Sequence, residues 1–100
     1  MSTFELSKKA LDDLKRIANY TESRWGRAQR NLYIKQLDES FHILAKTPLA
    51  GKSCDHIRAG YRQFLQGRHI VFYMEGSEST ITIIRILQQS MDVESRLADS

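Results

Sequence analysis

The stretch HIRAGYRQFLQGRHIVFYM, residues 56–74, decides how this chain is read. Apolar and polar residues interchange on both sides of Gln66-Gly67, a pair suited to a tight turn. The stretch therefore predicts a β-hairpin with strands over 57–65 and 68–75. The second strand alternates more cleanly, with Ile70, Phe72 and Met74 on one face. The same stretch carries Arg58, Arg62 and Arg68 with His56 and His69 and no Asp or Glu, although acids are scattered through the rest of the chain. A hairpin that gathers cations in this way offers a surface to something anionic or acidic.

Beyond the hairpin, the Glu75 to Ser79 turn leads into an isoleucine-rich strand over 80–87, and the tail over 88–100 reads as one short helix with a frayed end. Before it, Pro48 and Gly51 mark a loop over 47–55. Two helices precede that loop. In the first, Ala10, Leu14, Ile17, Ala18 and Thr21 recur at helical spacing, and Lys8, Asp12, Asp13, Lys15 and Arg16 fill the other face; Ser7 is its N-cap and its end is expected near Ser23. The second runs over 27–46 with a core stripe of Tyr33, Leu37, Phe41 and Leu44. Only Arg24-Trp25-Gly26 separates them, so they form an antiparallel helical hairpin. A first strand is expected at Thr3 to Leu6. Grouped elements of this kind specify an α+β domain: short N-terminal strand, two-helix hairpin, three-stranded antiparallel sheet segment and short C-terminal helix, in one domain spanning 1–100.

A chain of 100 residues with 41% hydrophobic content can bury one modest core, and a net charge of +3 permits nucleic-acid binding without demanding it. Cys54 is the single cysteine, which excludes an internal disulfide and fits a reducing cytosol. His42, His56 and His69 have no close ligand spacing, so neither a metal site nor a cofactor is expected. The N-terminus has no apolar h-region, and no apolar run approaches the roughly 20 residues of a membrane span. A cytoplasmic protein without a membrane segment is the expectation.

Five strings, in order, resemble the ParE branch of the ParE/RelE toxin superfamily. They are Arg24-Trp25-Gly26, the run TPLAGK at 47–52, the run IRAGYR at 57–62, the run HIVFY at 69–73 and the run IRILQQSMD at 84–92. The resemblance spans nearly the whole chain. It implies the toxin of a type II toxin–antitoxin system, bound by a cognate ParD-like antitoxin in a hetero-oligomer. It also implies a toxin that inhibits DNA gyrase, with or without its bound DNA, and so blocks replication. Two positions depart from the pattern: Gln88 stands where many relatives have histidine, and Met74 where many have arginine.

The RelE branch cleaves messenger RNA on the ribosome, which requires a base for the 2′-OH, an acid for the leaving oxygen, and cations for the phosphate. Arg58, Arg62, Arg68 and Arg85 could supply the cations, and His69 is the best base. The tail after Leu87 has no Tyr, His or Lys to complete a proton-transfer pair, so no catalytic residue is assigned. Tyr61 and Tyr73 are expected to pack in the sheet. The preferred reading is a non-enzymatic toxin that contacts its target through Arg58, Arg62, Arg68, His69, Arg85, Gln88 and Met91. Arg58 and Arg62, four apart on one strand, would share a face about 13 Å apart. Arg85 shares a strand face with Ile81, Ile83 and Leu87; it either pairs with a buried carboxylate or carbonyl, or is displayed to a partner. Antitoxin contacts are expected at Tyr20, Arg62 and Arg85, and at Trp25 unless it packs over the end of the helical hairpin. Charge reversal at Arg62 or Arg85 is expected to remove toxicity with the fold intact. The alternatives are a ribosome-dependent mRNA endonuclease and, given Gln88 and Met74, an antitoxin-binding module without toxicity.

Overall fold

The computed structural model describes residues 3–98; the last two residues of the expected tail helix lie outside them. The elements run β1 (Thr3–Leu6), α1 (Lys8–Trp25), α2 (Arg27–Lys46), β2 (Lys52–Ser53), β3 (Tyr61–Gln66), β4 (His69–Glu75), β5 (Thr80–Gln88) and α3 (Val93–Ala98). The α+β architecture is as expected, with a two-residue β2 added at one edge. The sheet order is β1-β5-β4-β3-β2, with β1 parallel to β5 and the remaining pairs antiparallel.

Ser7 opens α1 as foreseen, its Oγ accepting the Ala10 N–H at 3.0 Å, a cap worth about 1 kcal/mol. The helix runs on through Trp25, two residues past the expected end, and stops at Gly26, whose φ of +91° suits a residue without Cβ. One residue thus turns the chain into α2, and Arg30 pairs with Glu22 across the break. Leu37, Phe41 and Leu44 of the expected stripe are buried against the sheet, together with Val71, Tyr73, Ile81, Ile83 and Ile86.

The other face of the sheet is also covered. Tyr61, Phe72 and Leu87 pack there with Cys54 from the preceding loop and Leu97 from α3. The tail is therefore a structural lid on the outer face. Completely burying a leucine such as Leu97 stabilises by about 1.5–3 kcal/mol.

Three further features differ from the sequence reading. β3 begins at Tyr61 and not at Ile57, because residues 56–60 form a turn in which the Cys54 carbonyl accepts the N–H groups of Ile57 and Arg58. Arg58 and Arg62 consequently do not share a strand face. The hairpin loop is Gly67-Arg68 and not Gln66-Gly67, since Gln66 pairs with His69. Gly67 takes φ +59° at the first loop position, as a tight two-residue hairpin favours, and a Cβ there would lie 2.8 Å from the Tyr33 hydroxyl.

The third difference is a bulge. Phe72 pairs with Arg85 and Tyr73 with Ile83, leaving Ile84 without a partner on β4. One extra residue reverses the alternation. Ile81 and Ile83 face the helices before it, Ile86 faces them after it, and Leu87 joins the outer cluster. Arg85 is thus not in register with Ile81 and Ile83.

Candidate functional site

β1 ends opposite Ile83, so the continuation of β5 would have an unpaired edge. Side chains from the start of α1 complete it. The Ser7 N–H donates to the Ile83 carbonyl at 2.9 Å and Ser7 Oγ to the Ile84 carbonyl at 2.7 Å. Six residues on, Asp13 Oδ2 accepts the Ile86 N–H at 3.0 Å. Asp13 also takes Arg85 in a two-pronged pair, with Nε donating at 2.8 Å and Nη2 at 3.0 Å. A third donor, Arg85 Nη1, reaches the Arg96 carbonyl of α3 at 3.4 Å. Arg85 is 8% exposed and Asp13 4%. Of the two roles considered for Arg85, the structure shows pairing with a buried carboxylate. Asp13, read as part of the solvent face of α1, is a buried anchor because β5 presents both a guanidinium and a backbone N–H to it.

Where β1 no longer covers β5, a groove of about 250 Å³ opens between α1 and the end of β5. Its apolar floor includes Ile17, Ile86, Leu87 and Met91. Its polar lining includes Arg16, His69, Arg85, Gln88 and Arg96. Asp13 is the carboxylate among the lining residues, and it is committed to Arg85, so the rim is cationic. Tyr20, 56% exposed, stands at the α1 side.

His69 is fixed from behind. Its Nδ1 lies 2.7 Å from the Tyr33 hydroxyl, which donates to the Gln66 carbonyl at 2.9 Å. Burial pushes the His69 pKa below its ordinary value, opposed by attraction to the Asp13 carboxylate. Burial pushes the Tyr33 phenol up, opposed by the Arg68 backbone, so the hydroxyl keeps its proton at neutral pH.

Of the residues picked out in the sequence, the groove brings together Tyr20, His69, Arg85, Gln88 and Met91. The others lie elsewhere. Arg62 is half-buried, and its Nε and Nη2 donate to the Gly51 carbonyl at 3.1 and 2.7 Å. It therefore helps hold the 48–51 segment, whose Gly51 N–H also donates to the Tyr73 hydroxyl at 2.9 Å. The expectation that reversing Arg62 or Arg85 leaves the fold untouched does not fit these bonds. Arg58 sits in the turn with its guanidinium 5.8 Å from the Tyr61 ring centroid, and Arg68 is exposed at the hairpin tip. Trp25 is 64% exposed and does not pack over the end of the helical hairpin; Arg24 lies over its ring at 5.8 Å. Burial raises the Cys54 thiol pKa, which keeps this enclosed sulfur protonated.

Arg16 and Arg96 are groove residues that the sequence reading did not select. The signal was present for Arg16, because Asp13, Arg16, Ile17 and Tyr20 repeat at three- and four-residue spacing along one side of α1. Arg96 depends on how the tail folds back, which carries no periodic signature.

The fold and the sequence have counterparts in known proteins. The sequence model described as "ParE toxin of type II toxin-antitoxin system, parDE" matches residues 4–93. The chain belongs to this family of toxins. It is 38% identical over 97 residues to Toxin ParE1 of Caulobacter vibrioides, covering 97% of this chain and 99% of that one. It is likewise 38% identical over 96 residues to Toxin ParE1 of Mycobacterium tuberculosis, covering 96% and 98% respectively. Among solved structures, a chain of the "Chromosomal ParDE TA system from P. aeruginosa" matches with a TM-score of 0.74 at 18% identity, over 88% of this chain and 96% of that one. That last likeness supports the fold.

Proposed function

We propose that this chain is a cytoplasmic toxin that inhibits DNA gyrase by binding, with no chemistry of its own, and that a ParD-like antitoxin neutralises it in a hetero-oligomer. Family membership over residues 4–93 carries this reading. The groove is consistent with binding: Asp13, the carboxylate in its lining, is bound to Arg85, and His69 is held from behind by the Tyr33 hydroxyl. The groove, with Gln88 and Met91 in its lining, and the exposed Arg68 form the surface offered to gyrase, with Arg58 in the turn that precedes β3. The antitoxin acts by covering part of that surface, together with Tyr20 and the exposed Trp25. No helix among the described residues is long and apolar enough to cross a membrane.

Induced expression without an antitoxin tests the reading in cells. Thymidine incorporation should fall before leucine incorporation. The reverse order, with codon-biased cuts in translated messages, would favour the ribosome-dependent endonuclease. Unchanged growth with folded protein would favour an antitoxin-binding module without toxicity.

A further inference from the structure

The hydrogen bonds behind His69 determine which of its nitrogens carries a proton. A carbonyl can only accept, so the single Tyr33 hydroxyl proton goes to Gln66, and the 2.7 Å contact to His69 is made by a proton on Nδ1. A neutral imidazole has one N–H, so Nε2 holds the lone pair. Nε2 makes no hydrogen bond among the described residues and is not enclosed. His69 lines the groove, so this nitrogen is an acceptor set among guanidinium groups.

We propose that His69 is a proton-gated cation in this groove, and that the groove binds an acidic, apolar segment of a protein partner more tightly when Nε2 is protonated. The proposal rests on the reading of the groove as a protein-binding surface. Protonation leaves the Nδ1 bond to Tyr33 in place, so it adds charge without rebuilding the site. The titratable and charged groups that touch the imidazole or share the groove with it are Asp13, Arg16 and Tyr20 from α1, Tyr33 from α2, Arg85 from β5 and Arg96 from α3. Burial pushes the second proton off, while Asp13 draws it on. A carboxylate arriving in the groove changes that balance, and by reciprocity a proton on His69 tightens the hold on the carboxylate. The floor of Ile17, Ile86, Leu87 and Met91 favours a peptide over a phosphodiester backbone. A space of about 250 Å³ accepts a few side chains and no duplex.

The test uses the full chain and an end-blocked synthetic peptide of alternating leucine and glutamate. Ring ¹⁵N shifts of the free protein should show a proton on Nδ1 in neutral His69 and a midpoint below the ordinary value, with the midpoint rising when the peptide is added. Peptide affinity should increase about three- to tenfold between about pH 7.5 and pH 5.5, where glutamate stays ionised. That gain should vanish in His69→Gln, with His42 and His56 as internal controls. A proton on Nε2 in the free neutral form would overturn the proposal. So would absent binding at both pH values, a gain that survives in His69→Gln, or displacement of the peptide by a short DNA duplex. None of these measurements contains gyrase, so their failure is separate from failure of the gyrase reading, and the ring shifts need no variant to fold.

Discussion

Asp13 and Arg85, separated by 72 positions in sequence, form a buried two-pronged ion pair at 2.8 and 3.0 Å. The same carboxylate receives the Ile86 N–H at 3.0 Å, so it closes the edge of β5 and neutralises the strand's cation at once. The pair sets the wall of the groove between α1 and the end of β5. Asp13→Asn or Arg85→Ala should therefore destabilise the fold by about 3–5 kcal/mol, because each leaves a buried charge uncompensated. Chemical denaturation checks the size of the loss. Replacing both with apolar residues should recover only part of it, since the Ile86 N–H still lacks its acceptor.

Arg68 offers the contrasting case. It is exposed at the hairpin tip, so Arg68→Glu should leave stability within about 0.5 kcal/mol of wild type. Growth inhibition by the same variant should nevertheless weaken, and melting curves beside growth curves separate the two effects. Arg62→Glu should lower both, because it also removes the bonds to the Gly51 carbonyl.

Leu97→Ala should cost about 2–5 kcal/mol, since this side chain is fully buried against the outer face of the sheet. Amide exchange should accelerate in α3 first.

Stability should also depend on His69. Its folded pKa lies below the ordinary 6.5, so between the two values the unfolded chain binds more protons. The stabilisation is complete above the ordinary value and is lost as pH falls through the window between the two, levelling off below the folded pKa. A denaturation series across that range should show this slope in wild type and lose it in His69→Gln.

The helical hairpin was legible because Leu37, Phe41 and Leu44 mark a helix face by local spacing. Three features were not. The run over 81–87 is apolar nearly throughout, so no alternation revealed the bulge at Ile84 that shifts Arg85 out of register. Asp13 looked like one more charge on a solvated face, because its partner lies at the other end of the chain. The sequence pattern places Arg58 in a strand although Ala59-Gly60 follows it, and Gly60 at φ +84° belongs to a turn. The basic stretch over 56–74 consequently divides between a turn, a structural bond and the groove.

The central claim is tested most directly with purified protein, gyrase, ATP and supercoiled plasmid, scored for linear DNA after protease treatment beside a matched topoisomerase control. The account predicts dose-dependent cleavage with gyrase and weaker cleavage with Arg68→Glu. Undamaged plasmid, with folded toxin and active gyrase, would contradict it.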